Sequence, residues 1–411
     1  MSEFYRIGLL PPYVFESVNK LKAAARARGE DIIDLGMGNP DLPTPKHIVD
    51  KLIETVQKPR VHGYSSSRGI PGLRRAMAAY YARRFGVKLD PNTEVIATLG
   101  SKEGFANLAQ AISAPGDAVL VPAPSYPIHA YGFILAGAVI RHVHAPNADT
   151  YLANLVKALE SPGPKPIAVV VNYPANPTAE IATLDHYKEF VALAKKHELM
   201  ILSDLAYSEL YFEGDPPPSM LQIEGAKDIT VEVNSFSKTY SMAGWRMGFA
   251  VGSERMISAL GRIKSYLDYG AFTPIQVAAT AALNGPQDCV AEMRAIYKGR
   301  RDALVESFAR AGWQIPAPKA TMFAWAPIPP ALASMGALEF SKALITEAQV
   351  AVSPGVGFGD QGEGYVRLAI VENEQRIRQA ARSVKKFLDK HGVNTGAAAQ
   401  QAPKRAKAHA Q

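Results

Sequence analysis

Residues 235–248 read Ser-Phe-Ser-Lys-Thr-Tyr-Ser-Met-Ala-Gly-Trp-Arg-Met-Gly. The amine of Lys238 can condense with an aldehyde, and the hydroxyls and the guanidinium around it suit a dianionic phosphate. The segment therefore predicts an anchor for a cofactor that carries both of these groups. The residues predicted to hold the phosphate are Ser235, Ser237 and Arg246. Because a lysine between small polar residues is also typical of a solvated loop, the prediction depends on the rest of the chain.

An apolar strand that ends in an acid is predicted at residues 200–204, Met-Ile-Leu-Ser-Asp. Binding sites in open α/β sheets collect at the carboxyl ends of the strands, which is where Asp204 is placed. A carboxylate there can keep a pyridine nitrogen protonated, so that the ring accepts electrons from a substrate. Asp204 and Lys238 together indicate pyridoxal 5′-phosphate, with Tyr207 as a donor to its phenolic oxygen. A helix N-cap is the alternative role for Asp204.

A second junction between a strand and a loop, residues 169–178, contains two prolines. Its sequence, Val-Val-Val-Asn-Tyr-Pro-Ala-Asn-Pro-Thr, predicts a buried strand that breaks into a stiff loop, in which one X-Pro bond can be cis. Held in such a loop, Asn176 is predicted to hydrogen-bond the ring oxygen of the cofactor. An ordinary Asn-Pro turn is the competing explanation.

A phosphate cradle is predicted where the strand pattern of residues 95–100 meets a helical pattern that begins at Ser101. The N–H groups at the start of a helix, here those of Ser101 and Lys102, attract an anion with the help of the helix dipole. Tyr126, in Pro-Ser-Tyr-Pro, is a candidate for stacking on the pyridine face, and a core position is its alternative role.

One arginine, Arg367, interrupts the otherwise apolar strand pattern of residues 365–371. Its planar fork suits a carboxylate, and an arginine within a strand core needs an anionic partner. We therefore predict that Arg367 binds the carboxylate of the substrate, helped by a backbone N–H of the Gly-rich turn 36–41, that of Gly38. A structural salt bridge is the alternative.

In their order and spacing, these residues and Tyr64 resemble the class I aminotransferases, a fold type I family that uses pyridoxal phosphate. The resemblance extends over about residues 8 to 392. Ser-Lys-Glu-Gly at 101–104, Asp-Leu-Ala-Tyr at 204–207 and Phe-Thr-Pro at 272–274 look most like bacterial glutamate-pyruvate (alanine) aminotransferases, with LL-diaminopimelate aminotransferases next.

The resemblance implies that an L-amino acid, alanine or glutamate, passes its amino group to a 2-oxo acid in a ping-pong cycle, and that the amine of Lys238 removes the α-proton. It also implies a homodimer in which Tyr64 reaches the cofactor phosphate of the neighbouring subunit. Tyr13 is a candidate substrate contact, with packing as its alternative role. Ala179 stands where many members have glycine, which puts the backbone of the Asn176 loop in question.

Three other functions are compatible with parts of this sequence. An aminotransferase of another specificity, such as one for LL-diaminopimelate, would use the same residues. A lyase or decarboxylase of the same fold shares the cofactor chemistry, although a carboxylate held by Arg367 is disfavoured as a leaving group. A sensor domain of a transcriptional regulator would need a DNA-binding module, for which the first 90 residues leave no room beside the Tyr64 segment.

Strand and helix patterns alternate from about residue 94 to 252, which predicts an α/β fold with a mainly parallel sheet covered by helices on both faces. Later patterns predict a smaller α+β domain. Strands are predicted to begin near residues 95, 118, 167, 200, 229, 248, 322 and 350, and helices to cover 184–199, 253–267, 287–311 and 374–391. The predicted domains are an N-terminal arm with part of the small domain (1–45), a large cofactor-binding domain (46–285), a small C-terminal domain (286–392) and a disordered tail (393–411).

Composition agrees with a soluble enzyme. The chain has 411 residues, 47% of them hydrophobic, and one cysteine, Cys289, which favours a reducing cytoplasm and offers neither an intrachain disulfide nor a cysteine metal cluster. The start lacks an apolar signal core, and no run of about 18 apolar residues predicts a membrane span. The net charge is +7, but three of the positive charges lie in the tail at 404–407, so we predict no nucleic-acid partner.

Overall fold

A computed structural model of the protein describes residues 4–11 and 14–393. The chain divides into two compact units. The larger unit takes in residues 39–295 and 319–321 together with the N-terminal residues up to 12, and the smaller unit takes in 13–38, 296–318 and the chain from 322 onward. Tyr13 and residues 394–411 of the predicted disordered tail lie outside the described residues.

The described helices and strands alternate along most of the chain. The helices are α1 (Tyr5–Gly8), α2 (Val14–Ala27), α3 (Lys46–Val56), α4 (Pro71–Phe85), α5 (Ser101–Ile112), α6 (Ile128–Ala136), α7 (Ala148–Glu160), α8 (Leu184–Lys196), α9 (Phe236–Thr239), α10 (Glu254–Leu267), α11 (Thr273–Asn284), α12 (Asp288–Arg310), α13 (Gly336–Ala348) and α14 (Glu374–Lys390). The strands are β1 (Ile33–Asp34), β2 (Val95–Thr98), β3 (Ala118–Ala123), β4 (Val139–His144), β5 (Pro166–Asn172), β6 (Met200–Asp204), β7 (Thr230–Ser235), β8 (Gly248–Gly252), β9 (Phe323–Pro327), β10 (Val350–Ala351), β11 (Ser353–Pro354) and β12 (Tyr365–Ala369).

The larger unit is built on a sheet with the strand order β2-β8-β7-β6-β5-β3-β4. Strands β4, β3, β5, β6 and β7 pair in parallel, and β8 runs antiparallel to both β7 and β2. The predicted α/β class with a mainly parallel sheet is therefore confirmed. Because parallel strands point the same way, β5, β6 and β7 present their carboxyl ends at one edge of the sheet, where Asn172 pairs with Asp204 and Asp204 with Val233.

Both faces of this sheet are covered, as the near-continuous apolar sequence of its strands predicts. On β5, Val170 packs in a cluster with Phe105 of α5 and Phe133 of α6, whereas its neighbour Val169 packs in a second cluster with Phe190 of α8. This alternation follows from the two-residue period of a strand. Full burial of each such side chain contributes about 1.5–3 kcal/mol.

Two details of the larger unit differ from the sequence prediction. Strand β4 was not predicted, because its sequence, Val-Ile-Arg-His-Val-His, is polar and its residues are largely exposed at the sheet edge. The helix predicted for 184–199 ends at Lys196, since Glu198 adopts a left-handed φ of 58° that turns the chain into β6. A helix cannot continue through that backbone conformation.

A buried carboxyl group, Glu232, anchors the middle of β7. It accepts hydrogen bonds from Tyr81 Oη (2.9 Å), Ser203 Oγ (3.0 Å) and Ser219 Oγ (2.6 Å). Burial raises the pKa of Glu232 because the charged form loses its hydration. These bonds fix the strand that leads into the segment carrying Lys238.

The smaller unit contains the antiparallel sheet β11-β12-β9 and the parallel pair β1-β10. The predicted domains divide the chain at residues 45 and 285, whereas the main segment of the larger unit runs from 39 to 295. Residues 39–45 belong there because they lead into α3, and Thr44 Oγ1 donates to the carbonyl of Ser241 at 2.7 Å. The first residues of α12 belong there as well, where Ser241 Oγ lies 3.5 Å from the sulfur of Met293.

Among the described residues, no helix is long and apolar enough to cross a membrane. Within the same part of the chain, no group of three or more His, Cys, Asp or Glu side chains is arranged to hold a metal ion.

Candidate active site

Lys238 lies one helical turn beyond the end of β7. Ser235 caps this turn, because its hydroxyl accepts a hydrogen bond from the N–H of Ser237 at 3.2 Å. The capped turn directs Lys238, which is half-buried, so that its Nζ lies 5.8 Å from the ring centre of Tyr207. Two predicted site residues from different strand ends, Lys238 and Tyr207, are thereby brought together.

The start of α5 approaches the start of β8 very closely. Gly248 permits this approach, because a Cβ atom at that position would lie 2.7 Å from the backbone nitrogen of Ser101. Gly100, the residue before α5, has a left-handed φ of 89° and leaves room for Arg246, whose Nη2 would lie 2.5 Å from a Cβ at Gly100. A cation and a helix N-terminus therefore face the same turn, which suits a dianionic phosphate.

The backbone of Arg246 is left-handed, with φ 54°. Its guanidinium donates from Nη1 to the carbonyl of Ala243 at 3.0 Å and from Nη2 to the carbonyl of Leu99 at 3.4 Å. These bonds fix the guanidinium at the junction of the two segments that carry the predicted phosphate ligands.

Asp204, at the carboxyl end of β6, has a buried carboxylate. Its Oδ2 lies 2.9 Å from His129 Nε2, and its Oδ1 accepts from the N–H of Ala206 at 3.2 Å. His129 is fully buried, and its ring lies against Phe105 at 5.2 Å and Tyr126 at 6.0 Å between ring centres. The histidine therefore holds the acid from the side of the protein core.

His129 was not identified from the sequence. It stands in the helix Ile-His-Ala-Tyr-Gly-Phe-Ile-Leu-Ala, whose other side chains are apolar except for that of Tyr131. A histidine on a mostly apolar helix next to a predicted strand end is the signal that would have found it.

Asn172, also missed from the sequence, ties the Asn176 loop to Asp204. Its Oδ1 accepts from the N–H of Asn176 at 3.0 Å, and its Nδ2 donates to the carbonyl of Asp204 at 2.9 Å. The bonds before Pro174 and Pro177 are both cis, so the prediction of a cis bond in this loop is confirmed. Asn176 itself is buried. The available signal for Asn172 was its place as the last residue of a buried strand.

Ala179 adopts the left-handed backbone conformation that a glycine at this position would favour. Its φ is 59°, and its N–H donates to the carbonyl of Ala175 at 2.9 Å. A residue with a Cβ atom in this conformation costs about 1–2 kcal/mol. The loop therefore keeps the backbone that a glycine would allow, at some cost in stability.

The other predicted site residues of the larger unit are partly or largely exposed to solvent. Tyr126 is half-buried, and the exposed Lys102 places its Nζ 5.9 Å from the Tyr126 ring centre. Tyr64 is 89% exposed and stacks on Tyr269 with 4.6 Å between ring centres. In the single chain, the side chain of Tyr64 therefore faces solvent.

In the smaller unit, Arg367 and the turn at Gly36–Gly38 lie together. Arg367 is 7% exposed, and its Nη2 donates to the carbonyl of Gly36 at 3.3 Å. The guanidinium lies between the rings of Phe323 (3.9 Å) and Phe358 (4.6 Å). Gly38 abuts the same Phe323 ring, since a Cβ there would overlap it. Two aromatic rings this close to a guanidinium restrict its movement, and its planar fork suits a carboxylate.

The ends of β5, β6 and β7 thus present an amine, a buried acid and a buried amide, and the start of α5 together with Arg246 forms a turn that suits a phosphate. This set fits pyridoxal phosphate, because each chemical group of that cofactor has a complementary side chain or backbone group within the larger unit. The donor set agrees with chemistry on an amino acid, in which a proton is moved between carbon and nitrogen.

Comparison with known proteins agrees with this geometry. The family described as aminotransferase class I and II matches residues 30–384. The chain is 66% identical over 388 residues to a protein described as an aminotransferase, AatC, of Rhizobium meliloti, covering 94% of this chain and 96% of that one. It is 51% identical to the glutamate-pyruvate aminotransferase AlaC of Escherichia coli, with 95% of each chain covered. It is 42% identical to an LL-diaminopimelate aminotransferase of Moorella thermoacetica, covering 95% of this chain and 99% of that one.

Solved structures give the same result for the fold. The substrate-bound structure of BacF from Bacillus subtilis superposes with a TM-score of 0.89 at 36% identity, covering 94% of this chain and 98% of that chain. The aspartate aminotransferase of Thermotoga maritima superposes with a TM-score of 0.86 at 29% identity, covering 94% of this chain and 100% of that chain. The predicted fold type I architecture is therefore confirmed.

Proposed function

Because this chain belongs to the class I and II aminotransferases and is a pyridoxal-phosphate-dependent enzyme, we propose that it exchanges amino groups between L-alanine or L-glutamate and a 2-oxo acid. The observation that carries this choice of substrate is the similarity to the glutamate-pyruvate aminotransferase over nearly the whole chain. An LL-diaminopimelate aminotransferase is the second candidate, favoured by the weaker similarity to enzymes of that name. We also infer a cytoplasmic location, which the single cysteine supports.

In this proposal the larger unit holds the cofactor through residues on its own strands. Ser235, Ser237, Arg246 and the N–H groups at the start of α5 bind the phosphate. Asp204, held by His129 at 2.9 Å, pairs with the pyridine nitrogen, and Asn176 and Tyr207 donate to the phenolic oxygen, while Tyr126 stacks on the ring. When bound, pyridoxal phosphate supplies an electron-accepting ring that stabilises negative charge at the α-carbon of the substrate.

Lys238 moves the proton. Its amine carries a lone pair when neutral, and the half-buried side chain places Nζ 5.8 Å from the ring centre of Tyr207. It takes the proton from the α-carbon of the donor amino acid, and in the second half of the cycle it delivers a proton to the α-carbon of the new amino acid. Since the donor amino acid must leave as its oxo acid before the acceptor enters, ping-pong kinetics follow.

Arg367 binds the substrate α-carboxylate in this proposal, with the Gly38 N–H as a second donor. Phe323 and Phe358 contact the guanidinium and restrict its movement, and its fork of N–H donors can bind both carboxylate oxygens. Fixing the carboxylate sets which bond at the α-carbon is held ready for cleavage. Tyr13 remains a predicted substrate contact.

A panel of L-amino acids with pyruvate or 2-oxoglutarate as the acceptor tests the specificity. We expect L-alanine with 2-oxoglutarate to give the highest kcat/KM, by about tenfold or more over long or branched donors, because a pocket that fits a methyl group discriminates at that level. Product oxo acid and amino acid are measured together by chromatography after initial-rate assays.

Two results of this panel would contradict the proposal. Turnover of LL-diaminopimelate with no turnover of alanine would favour the second candidate. Release of ammonia or carbon dioxide without any acceptor would indicate a lyase of the same fold. Omitting the acceptor is the control that separates transfer from elimination.

We further propose that the enzyme is a homodimer and that an exposed aromatic patch is the contact between its two copies. The patch surrounds Tyr64 and lies on the larger unit; it comprises Tyr64 (89% exposed), Tyr266 (82%), Leu267 (58%), Tyr269 (63%) and Phe272 (40%). Aromatic residues with this exposure are typical of protein interfaces rather than of free surface. A second copy is the occupant we choose, because Tyr64 then serves the cofactor phosphate of that copy.

Mixing two variants that each carry a different active-site defect tests whether the active sites are shared. Tyr64→Ala is expected to lose at least about tenfold in activity at low cofactor concentration, through a lost hydrogen bond to a charged group. Mixed 1:1 under conditions of subunit exchange with Lys238→Ala, it should recover about a quarter of the parental activity, because half of the dimers are mixed and each of these has one intact site.

The matched control is a mixture of Lys238→Ala with Asp204→Ala, in which both defects belong to the same subunit's site. This mixture should recover nothing. Sedimentation of the parent as a monomer at micromolar concentration would refute the dimer, and mixed dimers without recovered activity would refute the role of Tyr64.

A further inference from the structure

Lys264, on α10, is a fully buried cation of the larger unit and has no place in the chemistry described above. Its side chain is 0% exposed, and its Nζ lies 2.8 Å from Glu103 Oε1 and 2.8 Å from Asp268 Oδ2. A buried ammonium group is strongly unfavourable unless anions and hydrogen bonds compensate it. The position of Lys264 is therefore defined by these two carboxylates.

Glu103 connects Lys264 to the phosphate-binding turn. It is the third residue of α5, and its Oε2 accepts from the N–H of Leu99 at 2.8 Å, on the other side of the turn. Leu99 in turn accepts from the Nη2 of Arg246 at 3.4 Å. Asn107 Nδ2 also donates to Glu103 Oε1, so the turn between β2 and α5 is oriented by a carboxylate that Lys264 and Asn107 hold together.

Asp268 connects the same lysine to the loop after α10. Its Oδ1 accepts from the N–H of Gly270 at 2.6 Å, and its carbonyl accepts from the hydroxyl of Ser67. This loop carries Tyr269, which stacks on Tyr64. One buried cation therefore holds both the phosphate-binding turn and the loop beside Tyr64.

We propose that Lys264 is a positioning residue for the cofactor phosphate, acting through Glu103 on the turn at Leu99–Ser101. The proposal rests on the proposed cofactor site. Without the lysine, two carboxylates face each other without a cation, and Glu103 keeps only the neutral donors Asn107 and Leu99, which do not balance its charge. The N–H groups of the turn then lose their alignment, and a negative charge is left near a dianion.

Binding of two cofactor forms to the full-length Lys264→Met variant tests this role. Pyridoxal 5′-phosphate and pyridoxal differ only in the phosphate, so their affinities separate a phosphate effect from a general one. We expect the Kd of pyridoxal phosphate to rise at least about tenfold, and that of pyridoxal to change by less than about threefold, as loss of charge-assisted hydrogen bonds at one group implies. Both are measured by absorbance titration well below the melting temperature.

Lys227→Met is the matched control, because Lys227 also forms an ion pair in the larger unit, with Glu94 Oε1 at 2.7 Å, but is 39% exposed. It should change neither affinity. Glu103→Gln is the second variant, for the case that Lys264→Met does not fold. It keeps an acceptor for the Leu99 N–H but removes the charge that Lys264 pairs with. Like Lys264→Met, it should lower the preference for pyridoxal phosphate over pyridoxal.

The double variant Lys264→Met/Glu103→Gln should lose no more of that preference than Lys264→Met alone, since one residue acts through the other. Equal weakening of both cofactor forms, no change in either, or multiplied effects in the double variant would each overturn the inference. Failure of the parent protein to bind pyridoxal phosphate would instead overturn the proposed function, so the two failures are distinguishable.

Discussion

Lys238→Ala is expected to lower the rate of amino-group transfer by about four orders of magnitude or more, because it removes both the covalent anchor and the base that moves the α-proton. The neighbouring backbone should not change, since the turn is fixed by the Ser235 cap and not by the lysine side chain. Single-turnover absorbance after mixing with L-alanine measures the chemical step without contributions from product release.

Lys188→Ala is the matched control for this variant. Lys188 is an exposed lysine on α8 that pairs with Asp185 at 2.8 Å, and its loss should leave the rate unchanged. Added methylamine should restore part of the activity of Lys238→Ala, because a small amine can act as the missing base. Parental turnover by Lys238→Ala would show that another group carries the proton.

The ends of the strands could be predicted from the sequence because two local signals coincide there. An apolar run followed by a polar residue indicates both the strand and its end, and the topology of a parallel sheet then gathers those ends at one edge. Asp204 follows such a run, whereas Lys238 was identified from the amine, hydroxyls and guanidinium of its own segment, and the register of β6 with β7 brings their strands side by side. The candidate site was therefore predictable from patterns a few residues long.

The supporting residues could not be predicted in the same way, because their partners are distant in sequence. His129 contacts Asp204 across 75 positions, and Lys264 contacts Glu103 across 161. A histidine or a lysine in a helical pattern gives no sign of which strand end it will face. Strand β4 was missed for a local reason, because its polar sequence lacks the apolar run that marks the interior strands.

The pairing of His129 with Asp204 bears on how the acid acts. His129 Nε2 lies 2.9 Å from one carboxylate oxygen, and the N–H of Ala206 donates to the other at 3.2 Å, so both oxygens have a polar partner. These two contacts fix the orientation of the carboxylate that the proposal places against the pyridine nitrogen.

Asp204→Asn is expected to lower kcat by about a hundredfold to a thousandfold, the range found when one preorganised electrostatic partner is removed. The amide has the shape of the carboxylate but cannot hold a proton on the pyridine nitrogen, so the ring becomes a weaker electron acceptor. Cofactor binding should weaken far less than kcat falls, because the phosphate ligands are unchanged. Absorbance titration and initial rates measure the two quantities on the same preparation.

His129→Phe provides the companion measurement, since it keeps an aromatic ring against Phe105 and Tyr126 and removes only the contact to Asp204. It should lower kcat by about tenfold, and the double variant should lose no more than Asp204→Asn alone, because the histidine acts through the acid. Asp185→Asn, at an exposed acid on α8, is the control and should be neutral. If Asp204→Asn kept the parental kcat, or if the two losses multiplied, the carboxylate would not be the group that controls the charge on the ring.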